Sequence, residues 1–449
     1  MECTGAIVFL PREGGRPTFM LENLLFDPAA RWLAQALKNS GVTHFLVVCH
    51  QDDRAQAEAC FPQGTVFITT GTEDASEQLL TFLREQEGQV AVITRPVFLT
   101  DDSATTMDFA SASLGAPACA SYAVLRAPFD QWLAEQAERE GAMFVNEIRV
   151  DDLIVRDGRV CGVRAGEDDM EAKVVLLADG AVSLLGQKLG MVSPLDPHAM
   201  AVSAKEVIQL DEKTVSDRFG CAPGEGCAWL FDGSCTDGHI GGGFLYTNRD
   251  SISLGVVTTI GDIDHGDTSV PEMLKRLERH PVVAPLIAGG TLREYTGRMI
   301  LEGGIAAVPE LVRDGVLIAG DAAGFGLNIG YCVRGMDFAI ESGRLAAEAI
   351  LKAREAGDYS AASLGAYRTL LDESFVMQDL RFYRGFPSFM AQTRRMFADY
   401  PVMLEDLMLG MFRVDGAPPK KLAKKALAAA KGVGLMTLAK DARKGLKAL

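Results

Sequence analysis

The chain has 449 residues, 48% apolar and 23% charged, which excludes a disordered polypeptide and leaves room for two or three domains around a large core. Its 44 Lys and Arg against 60 Asp and Glu give a net charge of −16, which excludes a general nucleic-acid binder. Nine dispersed cysteines without a C-x-x-C exclude a disulfide framework and argue against a zinc site or an iron–sulfur cluster; the closest pair is Cys221 and Cys227 in GCAPGEGC. The opening MECTGAIVFLPREGG has no basic n-region and only Ala6–Leu10 as an apolar run before Pro11, so no signal peptide is expected. No apolar run approaches the ~18 residues of a membrane-spanning helix.

The first hundred residues alternate. Strands are predicted at Ala6–Leu10, His44–Cys49, Thr65–Thr70 and Gln89–Ile93, with helices at Pro28–Ser40, Asp53–Phe61 and Ala75–Glu87 between them. That spacing predicts a parallel sheet with right-handed crossovers. YAVLRAPFDQWLAEQAEREGAMFV then reads as a short strand and an amphipathic helix with Phe129, Trp132, Leu133 and Ala137 on one face. EIRVDDLIVRDGRVCGVRAG reads as a β-hairpin turning at Asp157-Gly158, and AKVVLLADG as a buried strand ending in a turn.

From about Met200 to Met299 the sequence is rich in strands and loops. GHIGGGFLYTNRDSISLGVVTTI, with Ile252, Leu254 and Val256 alternating, predicts an antiparallel sheet with one wet face, suited to a substrate domain. After Gly315 a strand, a glycine-spaced loop and a helix from Gly335 to about Ala356 follow, and the remainder is helical. The final 34 residues carry nine Lys and Arg against one Asp, a net +8 that leaves −24 on the rest. This segment reads either as a solvated terminal helix or as one that docks on anionic lipid or an acidic partner.

GVLIAGDAAGFGLNIG, residues 315–330, carries the most chemistry. Small residues let a ligand approach the backbone, and a strand-end aspartate is an acceptor for ribose or ribitol hydroxyls. A tight strand-to-helix turn would use the same glycines. KVVLLADGAVS supplies a second strand end, Ala178-Asp179-Gly180, and Arg126 follows a third strand before a helix.

Together these stretches resemble the FAD-dependent oxidoreductases of the geranylgeranyl reductase and electron-transfer-flavoprotein–quinone oxidoreductase superfamily, with a p-hydroxybenzoate-hydroxylase-like fold, and most closely its FixC branch. The likeness runs from about Leu99 to the C-terminus. GDAAGFGLNIGYCVRGMDFAIESGRLAAE carries it, with DDSATTMDF, REYTGRMILEGG and the closing LAKDARKGLKAL. The resemblance implies FAD as cofactor, an electron-transfer flavoprotein as donor, and quinone or a ferredoxin-like iron–sulfur subunit as acceptor. It implies a cytoplasmic protein with peripheral contact to the membrane's inner face through the basic C-terminus. By position it places Gly320, Asp321, Ala322 and Gly324 at the ribitol or pyrophosphate, and amides around Asn328, Ile329 and Gly330 at the isoalloxazine pyrimidine edge. It sets Arg126 against the FAD and puts Ala178, Asp179 and Gly180 in the dinucleotide-binding core. No catalytic side chain and no metal ligand is assigned.

Such flavoproteins open with G-x-G-x-x-G, and the chain has none; AIVFLPREGGRPTFML stands in its place. Residues 1–103 instead resemble the nucleotidyltransferase domain of N-acetylglucosamine-1-phosphate uridylyltransferases in TGAIVFLPREGGRP, GVTHFLVVCHQDDRAQAEACF and GQVAVITRPVFLT, without that family's phosphate-binding and Mg²⁺-binding residues. The expected fold is therefore α/β and α+β: a parallel-sheet nucleotide-binding-like region at 1–100, an FAD domain in two parts (101–198 and 300–390), an antiparallel substrate domain at 199–299, and a helical, basic region at 391–449. The alternative function is a fused or degenerate protein, either a sugar-phosphate nucleotidyltransferase or a non-catalytic remnant.

Overall fold

The computed structural model describes residues 5–10, 23–24, 27–39, 44–50, 53–70, 89–116, 120–263, 267–414, 416, 418 and 420–448. The chain divides into two compact units, Met1–Gln86 and Glu87–Leu449. In the first, strands Gly5–Leu10, His44–His50 and Val66–Thr70 lie side by side in chain order, all parallel. Parallel neighbours need crossovers, and helices Ala29–Asn39 and Arg54–Glu58 lie between the strands in the chain. Ala30, Ala34, Phe45, Val47, Ala57 and Phe61 form its core. The helix expected over Ala75–Glu87 lies outside the described residues.

The strand expected over Gln89–Ile93 runs on to Leu99 and belongs to the second unit. It pairs in parallel with Glu225–Gly233, because Val97 and Leu99 bury their side chains beside Phe231 and Leu245. Among the described residues this is part of a nine-stranded sheet. Its main path runs Thr291–Leu301, Met200–Gln209, Ser251–Thr259, Gly241–Thr247, Glu225–Gly233, Gln89–Leu99 and Ala104–Thr106, antiparallel except at that one pair. The alternation of Ile252, Leu254 and Val256 places them on one face with Trp229 and Phe231. There the amphipathic helix Val270–Arg279 covers them with Met273, Leu274 and Leu277.

Along strand Ser251–Thr259 the opposite face is not wet, contrary to the alternation; only farther out do Lys205, Gln209 and Arg298 reach solvent. Ser251 and Ser253 are buried there, and the Phe244 ring lies so close across Gly255 that a Cβ at that glycine would sit 2.3 Å from Cζ. Small residues on this face make room for a ring.

A second core surrounds a three-stranded sheet in the order Val175–Leu177, Val316–Ile318, Val312–Arg313, the first pair parallel. Helix Met336–Ala356 buries Phe338, Leu345, Ala346, Ala349 and Ala353 in that core and ends at Gly357 with φ +66°. The hairpin expected at Asp157-Gly158 forms between Asp152–Arg156 and Arg159–Ala165. Both turn residues have positive φ, +50° and +80°, as a type I′ turn requires. Helices Asp399–Phe412, Leu422–Val433 and Leu435–Ala448 complete the C-terminal region. The buried Asp441 ties the last helix down, accepting two hydrogen bonds from Arg395 (3.0 and 3.1 Å) and one from the Tyr400 hydroxyl (2.7 Å). No helix among the described residues is long and apolar enough to cross a membrane.

Candidate functional site

Strands Val175–Leu177 and Val316–Ile318 run in register, Leu177 opposite Ile318, and the Ala319 amide donates to the Leu177 carbonyl at 3.0 Å. The turns that follow, Ala178-Asp179-Gly180 and Gly320-Asp321-Ala322, therefore leave the sheet together at its carboxyl edge, where open α/β sheets bind ligands. Val316, Leu317 and Ile318 are fully buried, which fixes this edge rigidly.

The loop then turns through a short 3₁₀ segment, Gly320–Ala323, opened by Gly320 at φ +62° with its amide on the Ser342 hydroxyl at 3.0 Å. Ala322 and Ala323 point into the core, so Asp321 alone sends a polar side chain outward. Gly324, at φ +75°, and Gly326 are explained by close packing: a Cβ would meet the Ala307 carbonyl at 2.9 Å or the Leu301 carbonyl at 2.8 Å. Gly180, at φ +83°, has nothing within 4 Å of a Cβ, and at Gly320 the nearest neighbour is the Ala339 Cβ at 3.5 Å. The outer surfaces of both turns are bare backbone.

Desolvation by the surrounding chain pushes the Asp321 carboxyl above the usual carboxylate range, while Arg126 and Arg298 pull it back down. The structure thus brings together Arg126 and Asp321, both expected from the sequence. Arg126 opens helix Arg126–Arg139 and is oriented by a two-point ion pair with Asp130, both contacts 2.9 Å. Arg298, which sequence reasoning missed, stands on strand Thr291–Leu301 opposite Ser203. Its signal lay within REYTGRMILEGG, but its direction depends on strand register. Asp179 acts locally, accepting from the Ser183 hydroxyl (3.2 Å) and the Leu185 amide (3.1 Å) and so holding the start of helix Leu184–Lys188.

Farther along, Leu327–Asn328 and Val333–Arg334 form a small hairpin. Asn328 ties it down: its amide donates to Glu302 Oε1 at 2.9 Å, and its carbonyl accepts the Gly330 amide at 2.9 Å. Glu302 also accepts from the Thr259 hydroxyl at 3.2 Å, and burial raises its carboxyl. The Ile329 amide donates to the Cys332 carbonyl at 3.0 Å, and the Ile329 side chain is buried in the core. The Ile329 and Gly330 amides are thus engaged within the hairpin.

Tyr331, Cys332 and Val333 of this hairpin face Ala228, Leu230 and Tyr246 of the large sheet across a cleft of about 170 Å³. That is close to the ~150 Å³ cavity that holds a single benzene ring. Burial pushes the Tyr246 phenol up to about 12 and raises the Cys332 thiol facing it. The arrangement offers an edge of largely bare backbone with Asp321, Arg126 and Arg298, and, at the hairpin that follows in the chain, a ring-sized cleft whose lining mixes apolar groups with Thr94, Ser121 and two tyrosines.

Residues 386–449 match the ETF-QO/FixC family C-terminal domain. The chain is 51% identical over 352 residues to the probable electron transfer flavoprotein-quinone oxidoreductase YdiS of Escherichia coli, covering 78% of this chain and 82% of that protein. It is 47% identical to protein FixC of Escherichia coli over the same length and shares of each chain. A geranylgeranyl bacteriochlorophyll reductase-like protein from Thermoplasma acidophilum shares the fold, with a TM-score of 0.56 at 18% identity over 89% of this chain and 98% of that one. Nothing in these relatives supports the nucleotidyltransferase alternative. The chain belongs to the ETF-QO/FixC family of oxidoreductases.

Proposed function

We propose that the chain binds FAD, accepts electrons from an electron-transfer flavoprotein and passes them to quinone. The observation that carries this reading is the cluster of Asp321, Arg126 and Arg298 at the carboxyl edge of two adjacent parallel strands, followed in the chain by a hairpin that lines a ring-sized cleft. The residues fit the flavin end of such a cofactor, because the turns at Gly180 and Gly320 leave space a Cβ would fill. Asp321 would hold the ribitol hydroxyls, with Arg126 and Arg298 countering the phosphates' charge. When bound, FAD supplies an acceptor for two electrons that can release them onward. The chain's own contribution is positional: Asn328 fixes the hairpin against Glu302, and the apolar wall of Ala228 and Leu230 keeps water from the acceptor's ring.

Three finer assignments belong to the same reading. The parallel sheet of Met1–Gln86, with helices between its strands in the chain, supports calling that unit nucleotide-binding-like. A ferredoxin-like iron–sulfur subunit is a further acceptor, in keeping with cysteines too dispersed to hold a cluster in this chain. Exposed Phe412, Val414 and Met436 and the exposed Lys420, Lys421 and Lys424 in the same C-terminal region suit peripheral contact with anionic lipid. The test of the central reading is Asp321→Ala. Losing a hydrogen bond to a charged group weakens binding roughly 10- to 100-fold. The purified variant should therefore lose its visible flavin absorption, and an unchanged flavin content would refute the site.

A further inference from the structure

The cleft between the small hairpin and the large sheet has a floor set by strand register. Thr94, Ala228 and Tyr246 stand in one row across three neighbouring strands, Thr94 beside Ala228 and Ala228 opposite Tyr246, and all three line the cleft. Strands lie about 4.8 Å apart, so the two hydroxyl-bearing residues flank the small Ala228 with their backbones about 10 Å from one another. Leu230, next on the same face, extends the floor. The Tyr246 ring is held in place. It stacks on Phe244 with centroids 5.2 Å apart and an interplanar angle of 20°, and Phe244 in turn lies across Gly255.

Among the described residues no hydrogen bond reaches the hydroxyls of Thr94, Tyr246 or Ser121, the last an exposed residue of the lining, and none of the three is walled off within the protein. On the hairpin side the Tyr331 phenol interacts with Tyr383, and burial raises the Cys332 thiol and keeps it uncharged. No charged side chain lines the cleft among the described residues. The arginines next to lining residues are committed elsewhere. Arg95 pairs with Asp108 and lies over Trp229 on the other face of the sheet, and Arg334 pairs with Asp337 and Asp379. An anion would find no partner here. A flat, uncharged ring with an acceptor oxygen at each end would find an apolar floor and an unclaimed hydroxyl on either side. At about 170 Å³ the space suits one such ring and not the three fused rings of an isoalloxazine.

We propose that this cleft seats the quinone ring, with Tyr246 donating a hydrogen bond to one carbonyl oxygen and Thr94 to the other. The proposal rests on the reading of the chain as a quinone reductase and adds the side chains that select its acceptor. Burial holds the Tyr246 phenol up at about 12, so it stays a donor throughout the physiological pH range. Ferricenium, an acceptor without a carbonyl oxygen, uses neither hydroxyl.

The experiment takes the full-length, FAD-loaded protein with a reduced electron-transfer flavoprotein as donor, and compares wild type with Tyr246→Phe, Thr94→Val and Ala228→Leu. The acceptors are a ubiquinone lacking its isoprenoid tail and, separately, ferricenium; equilibrium dialysis measures binding of the same quinone without turnover. Tyr246→Phe and Thr94→Val should each raise the quinone's KM and Kd about 3- to 10-fold, the worth of one neutral hydrogen bond, with kcat, ferricenium reduction and flavin content unchanged. Ala228→Leu fills the floor and should abolish quinone binding. An unchanged quinone Kd in both hydroxyl variants, quinone binding retained in Ala228→Leu, or an equal loss with both acceptors would overturn the proposal. So would a fall in flavin content in Tyr246→Phe, which would assign the cleft to the cofactor. In each of these cases a wild type that reduces the quinone keeps the quinone-reductase reading. A wild type that reduces ferricenium but neither binds nor reduces the quinone overturns that reading and the proposal together.

Discussion

Replacing Asp232 by Asn should change how stability depends on pH, whatever the chain reduces. The carboxyl goes from its ordinary 3.8 in the unfolded chain to about 7 in the folded one, because burial disfavours its charge. A raised carboxyl contributes stability fully present below pH 3.8 and lost as pH climbs through 7, since the unfolded state ionises first. Each unit of separation is worth about 1.36 kcal/mol, so the loss is on the order of 4 kcal/mol at alkaline pH and roughly 3 kcal/mol of it falls between pH 5 and pH 8. Asn cannot ionise and escapes this loss. Urea unfolding followed by fluorescence of Trp229, buried three residues earlier on the same strand, is the assay. The variant should gain on wild type by that amount on going from pH 5 to pH 8. Parallel pH dependences in the two proteins would refute the burial argument.

Three further outcomes follow from the site and its surroundings. Asn328→Ala removes the donor to Glu302 and the acceptor for the Gly330 amide, and should cost about 1–3 kcal/mol in unfolding free energy and lower the flavin content. Gly324→Ala forces a Cβ into φ +75° and against the Ala307 carbonyl, so its melting temperature should fall; Gly343→Ala, with nothing within 4 Å of a Cβ inside helix Met336–Ala356, should leave it unchanged or raise it. Exchanging Lys420, Lys421, Lys424 and Lys425 for Glu should weaken sedimentation with vesicles containing phosphatidylserine, at about 1 kcal/mol per lysine, and retained binding would remove the basic segment from the membrane contact.

The parts of the fold legible in the sequence were those encoded locally. Val316–Ile318, the glycines after it and the helix from Met336 announce a strand, a turn and a helix within a few dozen residues, and Asp157-Gly158 announces its hairpin by backbone chemistry alone. What escaped was set by distant pairing. Gln89–Leu99 reads as the next strand of an alternating α/β run, but its partner is Glu225–Gly233, more than a hundred residues on. Arg298 likewise points toward Asp321 because Ser203 lies opposite it in register, and no local pattern near residue 298 specifies that.

A second kind of misreading concerns what a small or polar residue on a strand means. Ser251, Ser253 and Gly255 alternate with Ile252, Leu254 and Val256 and therefore look solvent-facing, since period 2 separates faces without saying what covers them. In the structure they are small because Phe244 lies across Gly255. Asp232 is the same ambiguity in its sharpest form. On the face of Leu230 and opposite Trp229 and Phe231 it reads as one more outward polar residue, yet it is half-buried there, with its Oδ1 over Gly242.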